Sequence, residues 1–354
     1  MIEVADFGAH EGQKVRAFTL SNRNGLRAKL IELGATLTEM HVPDRQGRLA
    51  DIVLGFDDLA GYVATDTYFG ALCGRYGNRI GHGRFSLDGR SYQITLNEGP
   101  HVVHGGRKGY DKKVWRGEAG ADGRSVRFTL RSPDGEEGFP GTLDMAAVFT
   151  LTDDDRLEIA MTATTDRPTV CNLVHHSYWN LAGHDSGDVL GQLIEFPADF
   201  YTPVDAELIP TGEIRSVTGT AYDFTAAKPI GRDLATIDNA GGGRSSDTSA
   251  GYDHNWVLRG WPGEMKLACR AVDPASGRGF TLHTTEPGVQ FYISGYLDQR
   301  VVGKGGRPCC RYGGFTLETQ KFPDSPNLGH FPSARLDPGQ TYRHVMSFKF
   351  GSQG

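Results

Sequence analysis

Strand-period alternation runs along most of the chain. Val126, Phe128 and Leu130 alternate with polar neighbours, and Leu157, Ile159 and Met161 do the same. Towards the end, Tyr342, His344, Met346, Phe348 and Phe350 keep a two-residue period. Successive side chains in a strand point to opposite faces, so this spacing predicts strands with one packed face and one wetter face. Residues 85–92 predict a hairpin around Asp88-Gly89, and Arg23-Asn24-Gly25 marks another turn. Helix-period patterns are scarce, and one short helix is expected over residues 57–62. Many short strands separated by turns predict an all-β chain, either a large antiparallel sandwich or a barrel. No repeat, heptad or linker divides it, so residues 1–354 are read as a single domain. The run at 238–251, rich in Gly and Ser, predicts a long flexible loop.

Composition narrows the function classes. Hydrophobic residues at 38% and charged residues at 23% fit a soluble globular protein. The 37 basic and 43 acidic residues give a net charge of −6, and no Lys/Arg run occurs, which argues against a nucleic-acid partner. No apolar stretch approaches the roughly 20 residues of a membrane span. The first residues are acidic and polar and lack the pattern of a signal peptide, so a cytoplasmic location is expected. Cys73, Cys171, Cys269, Cys309 and Cys310 form an odd set without a Cys-x-x-Cys, which predicts reduced, partly buried thiols and no zinc site.

The chemistry concentrates in five segments. Residues 172–181 place His175, His176, Tyr178 and Trp179 together. An imidazole can move a proton near neutral pH, and flat rings can lie along the C–H face of a pyranose. Adjacent strand histidines point to opposite faces, so only one of His175 and His176 easily faces a given pocket. Asn78 and Arg79, in the stretch 74–81, suit hydroxyl-rich ligands, because a carboxamide and a guanidinium donate and accept in several directions. His104 precedes Gly105 and Gly106, where backbone and ligand can approach closely. Asp253, in Tyr-Asp-His-Asn-Trp, is a candidate acceptor for sugar hydroxyls. Glu318 stands in a strand-like stretch, Phe315 to Gln320. Taken singly, each has an ordinary structural alternative: a turn, a cap, a buried histidine, or an exposed strand carboxylate.

Together and in this order, the segments resemble the aldose 1-epimerase family, over most of the chain from about Leu33 to Gly329. The resemblance rests on Gly-x-x-x-Asn-Arg-Ile-Gly at 74–81, His-Gly-Gly at 104–106, His-His-x-Tyr-x-Asn-Leu at 175–181, Tyr-Asp-His-Asn at 252–255, Pro-Gly-Val-Gln-Phe-Tyr at 287–292 and Leu-Glu-Thr-Gln at 317–320. It implies a large antiparallel β-sandwich of the galactose mutarotase-like supersandwich type, with an open cleft for a free monosaccharide. It implies His176 as general acid and Glu318 as general base. It further implies that Asn78, Arg79, His104, Tyr178, Asp253 and Gln290 bind the sugar, and that neither metal nor organic cofactor takes part. A monomer or homodimer is expected. The chain departs from the pattern at His175, where the family usually has Asn, and at Ser294-Gly295-Tyr296, after which Tyr296, Gln299 and Arg300 are expected to reshape the cleft rim.

Turning one anomer into the other requires the C1 hydroxyl to lose a proton and the ring oxygen to gain one. From its ordinary pKa, Glu318 is expected to be ionised at pH 7. Negative charge on Asp253 or Glu318 is expected to raise the pKa of His176 so that it can act as the acid, with His104 and Arg79 stabilising charge on oxygen. The rival expectations are a glycoside hydrolase using Glu318 with Asp253, a non-catalytic sugar-binding module, and a hexose-phosphate epimerase.

Overall fold

The computed structural model describes residues 2–237, 251–297 and 299–352. All but the last residue of the glycine-rich loop expected at 238–251 lies outside the described residues. Three sheets carry the architecture. The largest has nine strands in the order Arg116–Ala119, Ser125–Ser132, Leu143–Leu151, Arg156–Thr165, Tyr342–Ser352, Arg278–Thr284, Lys266–Val272, Leu193–Glu195 and Lys228–Pro229. A five-stranded sheet runs in chain order from Ile2–His10 to Leu49–Asp51. A second five-stranded sheet orders Arg215–Ser216, Phe200–Thr202, Asp253–Val257, Gly288–Tyr292 and Thr316–Gln320. Their ladders are antiparallel. Among the described residues no ladder joins the outer strands of any of them, so the sheets form a layered sandwich and not a closed barrel.

The expected alternation decides which faces meet. Register pairs Val126 with Phe149, Phe149 with Ile159, and Ile159 with Met346, stacking one buried row across four strands. This row shares one core cluster with Leu20, Leu30 and Met40 of the first five-stranded sheet and with Trp256, Phe291 and Leu317 of the second. Each large apolar side chain buried there contributes about 1.5–3 kcal/mol. His344 belongs to the same periodic run but is polar. It is accommodated because Thr319 Oγ1 at 2.7 Å and the Leu173 carbonyl at 3.0 Å satisfy its two ring nitrogens.

Local signals translate directly. Arg84–Leu87 pairs with Arg90–Gln93 around Asp88 and Gly89, both at positive φ (49° and 77°), as a type I′ two-residue hairpin turn requires. The helix covers Leu59–Ala64, two residues later than expected, because the Asp58 carboxylate accepts from Gly61 N–H at 3.0 Å and caps it. All five cysteines are free, four of them buried. No helix among the described residues is long and apolar enough to cross a membrane.

Candidate active site

Three neighbouring strands of the second five-stranded sheet set the floor of the site. Register places Asp253 opposite Tyr292, Asn255 opposite Gln290, and Gln290 opposite Glu318. The two-residue period sends these residues, with Thr316 and Gln320, to one face, and sends Trp256, Phe291 and Leu317 to the core. A polar face this deeply buried must satisfy itself internally. Gln290 Nε2 donates to Asp253 Oδ1 at 2.7 Å, and Gln320 Nε2 donates to Gln290 Oε1 at 3.3 Å. Thr316 Oγ1 donates to Glu318 Oε1 at 3.1 Å, while Glu318 Oε2 is left without a partner.

The opposite wall comes from the two-strand ladder that pairs Arg79–Ile80 with Val102–Val103. Asn78 and His104 flank it with left-handed backbones, φ 65° and 51°. They are tied reciprocally: His104 N–H donates to the Asn78 carbonyl at 3.1 Å, and Asn78 N–H donates to His104 Nδ1 at 3.2 Å. Because Nδ1 accepts, the neutral ring carries its proton on Nε2. The following Gly105 is required for a backbone approach rather than a ligand approach. At φ 92°, an added Cβ would lie 2.0 Å from the Gly74 carbonyl oxygen. The Arg79 guanidinium bridges two carboxylates, donating to Glu98 at 2.7 and 3.0 Å and to Asp253 Oδ2 at 3.3 Å.

The histidine pair splits as strand geometry demands. Val174–His175 pairs with Leu72–Cys73. The His175 ring lies 5.9 Å from Phe149, with Nε2 2.8 Å from Ser177 Oγ, on the core side. His176 turns the other way and brings Nε2 to 3.4 Å from Glu318 Oε1. Tyr178 packs 5.2 Å from His176 and 6.0 Å from Tyr292.

These elements enclose a cleft of about 1040 Å³, lined by Asn78, Arg79, His104, Tyr178, Asp253 and Glu318. His176 sits against Glu318, and Gln290 lies beneath Asp253 rather than on the cleft surface. Tyr296 and Arg300 stand on the rim, the Tyr296 ring stacked 5.9 Å from Tyr292. Sequence reasoning did not single out Glu98, Thr316 or Tyr68. Glu98 stands six positions before His104, and an acidic residue there is a signal for a partner to Arg79. Tyr68 carried no signal.

The electrostatics reverse two expectations. The His176 imidazole is lowered to about 4, not raised, because burial disfavours its charged form. Of the two carboxylates expected to raise it, Glu318 carries little charge at neutral pH. Burial, then the charge of Asp253, pushes Glu318 up to about 8 against the Thr316 hydrogen bond and Arg79. The same reversal applies to the expected ionised Glu318. Burial, then His176 and Arg79, holds His104 well below the usual imidazole range. Between about pH 4 and pH 8 the His176–Glu318 pair therefore holds a single proton.

His104, His176 and Glu318 offer three atoms within 4.8 Å of one another, the count of a small metal site. The donor set does not fit one. His104 Nδ1 is taken by the Asn78 N–H and Nε2 by its own proton, so neither nitrogen presents a lone pair to an ion.

The family model described as aldose 1-epimerase matches residues 16–349. Galactose mutarotase from Bos taurus is 43% identical over 325 residues, which cover 92% of this chain and 91% of the relative. Aldose 1-epimerase from Escherichia coli (strain K12) is 34% identical over 344 residues, 97% of each chain. The crystal structure of an aldose epimerase homologue from C. elegans superposes with a TM-score of 0.86 at 31% identity, covering 95% of this chain and 98% of that one.

Proposed function

This chain belongs to the aldose 1-epimerase family and is a carbohydrate isomerase that catalyses mutarotation, and we propose that it interconverts the α and β anomers of free aldoses with Glu318 as general base and His176 as general acid. The observation that carries the assignment is their 3.4 Å approach on the floor of the cleft. Glu318 takes the proton from O1 and His176 gives one to the ring oxygen. The C1–O5 bond breaks, C1 turns about its bond to C2, and closure on the other face reverses both transfers. Opening leaves Glu318 protonated and His176 neutral, the form that burial favours in the empty site. The proton count of the pair never changes, so no exchange with bulk water is needed during a cycle. His104 Nε2–H is a donor for the oxygen on which charge develops. Asn78, Arg79, Tyr178 and Asp253 hold sugar hydroxyls, and Gln290 fixes Asp253.

Two rival chemistries fit this arrangement poorly. A hydrolase would need Asp253 as a second working carboxylate, but its oxygens already accept from Gln290 and Arg79. A phosphate site would need clustered cations, but of those lining the cleft Arg79 is held by two carboxylates and Lys112 lies against Asp66 and Asp111. Galactose, the sugar named in the bovine relative, is the first aldose to test. We read the chain as one domain, a monomer or homodimer, and the free buried cysteines support a reducing, cytoplasmic setting. The test is polarimetry of freshly dissolved α-galactose, α-glucose, xylose and arabinose, with and without protein, beside a reducing-end assay on glycosides. Faster decay to an unchanged final rotation, with no new reducing ends, is expected. No acceleration for any aldose, or release of new reducing ends, defeats the proposal.

A further inference from the structure

We propose that Tyr68 is a positioning residue for the two imidazoles of the site, its ring holding His176 and His104 in place and screening them from water. The proposal rests on the acid role given to His176 above. Tyr68 has a left-handed backbone at φ 59°, a conformation that costs a residue bearing a Cβ roughly 1–2 kcal/mol. The turn it opens explains why it stays there. Ala71 N–H donates to the Tyr68 carbonyl at 3.1 Å, and Gly70 N–H donates to the His176 carbonyl at 3.0 Å. His176 N–H in turn donates to the Ala71 carbonyl at 2.9 Å. Both main-chain polar groups of His176 are therefore fixed by the four residues that begin at Tyr68. Gly70 is bound to its place, since an added Cβ would lie 2.0 Å from the Leu37 carbonyl oxygen.

The side chain completes the arrangement. The Tyr68 ring lies 4.6 Å from His104 and 5.7 Å from His176, and the two imidazoles are 4.9 Å apart. Tyr68 is half-buried and lines the cleft, where its ring covers part of both imidazoles. A working histidine is commonly oriented by a hydrogen bond on its second nitrogen. His176 has none: its buried Nδ1 meets no hydrogen-bond partner among the described residues. Ring contacts from Tyr68, His104 and Tyr178 are what remains to orient it, with Glu318 on the far side. Those four are the titratable side chains in ring or ionic contact with it among the described residues, and His175, next in the chain, couples to it electrostatically.

Two variants test this. Tyr68→Gly removes the ring and relaxes the backbone strain, so it should melt close to the parent. Tyr68→Phe keeps the ring. For Tyr68→Gly, kcat should fall roughly tenfold to a hundredfold, as for a displaced catalytic group, with a smaller change in KM. The acid limb of its pH profile should move up towards an ordinary imidazole as water reaches His176. Tyr68→Phe should restore both. An NMR titration of the His176 ring protons, assigned with His176→Asn, reads the same shift without turnover. A Tyr68→Gly protein with parental kcat and an unmoved His176 titration overturns the proposal. So does a Tyr68→Phe protein as impaired as Tyr68→Gly, which would make the hydroxyl a sugar contact. Failure of the acid–base assignment itself would show separately, as full activity in Glu318→Gln.

Discussion

Replacing Glu318 by Gln isolates the proton chemistry. The amide is nearly the same shape and can still accept from Thr316 Oγ1, which bonds Glu318 Oε1 at 3.1 Å, but it cannot take a proton from O1. Loss of a positioned base costs about 10²–10⁴-fold, so kcat should fall by that factor while KM stays close to the parent. The structure also fixes where the parent's activity should fade. The Glu318 pKa rises from 4.5 to about 8, and at 1.36 kcal/mol per unit this is roughly 5 kcal/mol against the buried carboxylate. Above about 8 the pair has lost its only proton and no acid remains; below about 4, His176 is charged as well and no base remains. The profile of kcat/KM should therefore be a bell with limbs near 4 and 8. The limbs are assigned in the reverse of the ordinary order, the acid one to the imidazole and the alkaline one to the carboxyl. Polarimetry of fresh α-galactose from pH 3 to 10, with the protein-free rate subtracted at each pH, measures it. A carboxyl ionises with little enthalpy and an imidazole with much more, so the alkaline limb should barely move with temperature. Near-normal rates for Glu318→Gln, or an alkaline limb that shifts strongly on warming, would refute the reasoning.

Other perturbations separate the remaining roles. His176→Asn should lose turnover by a similar factor of about 10²–10⁴ and, in its residual activity, lack the acid limb. Asp253→Asn removes the charge that, after burial, raises Glu318, so the alkaline limb should move to lower pH; KM should rise, because Arg79 and Gln290 both lose an ionic partner. An alkaline limb that stays in place would show that Asp253 does not act on Glu318. Gly105→Ala, at φ 92° and against the Gly74 carbonyl, should destabilise the fold by about 1–3 kcal/mol or more in thermal melts; an unchanged melting temperature would show that the loop after His104 yields easily.

The Tyr342–Phe350 alternation and the Asp88-Gly89 turn were legible because each is a local rule. A strand's faces alternate by backbone geometry, and a type I′ two-residue hairpin turn needs positive φ at both central positions. Period two also foretold that His175 and His176 would part company. The order of six short motifs pointed to the residues of the cleft, and the chain brings Glu318 and His176, 142 positions apart in the numbering, to one floor. What lay beyond the sequence was the environment of these groups. Reference pKa values describe hydrated side chains, so they gave an ionised Glu318, and negative charge on Asp253 or Glu318 was then expected to raise His176. Only burial by three packed sheets reveals the opposite tendency in both. The tautomer of His104 likewise depends on an Asn78 N–H brought back by a reversed backbone, and the role of Tyr68 on a turn that clasps His176 from another part of the chain. Local pattern determined which residues form strands and which carry chemistry; three-dimensional packing decided their protonation and partners, because desolvation and pairing are properties of the assembled surroundings and not of neighbours in sequence.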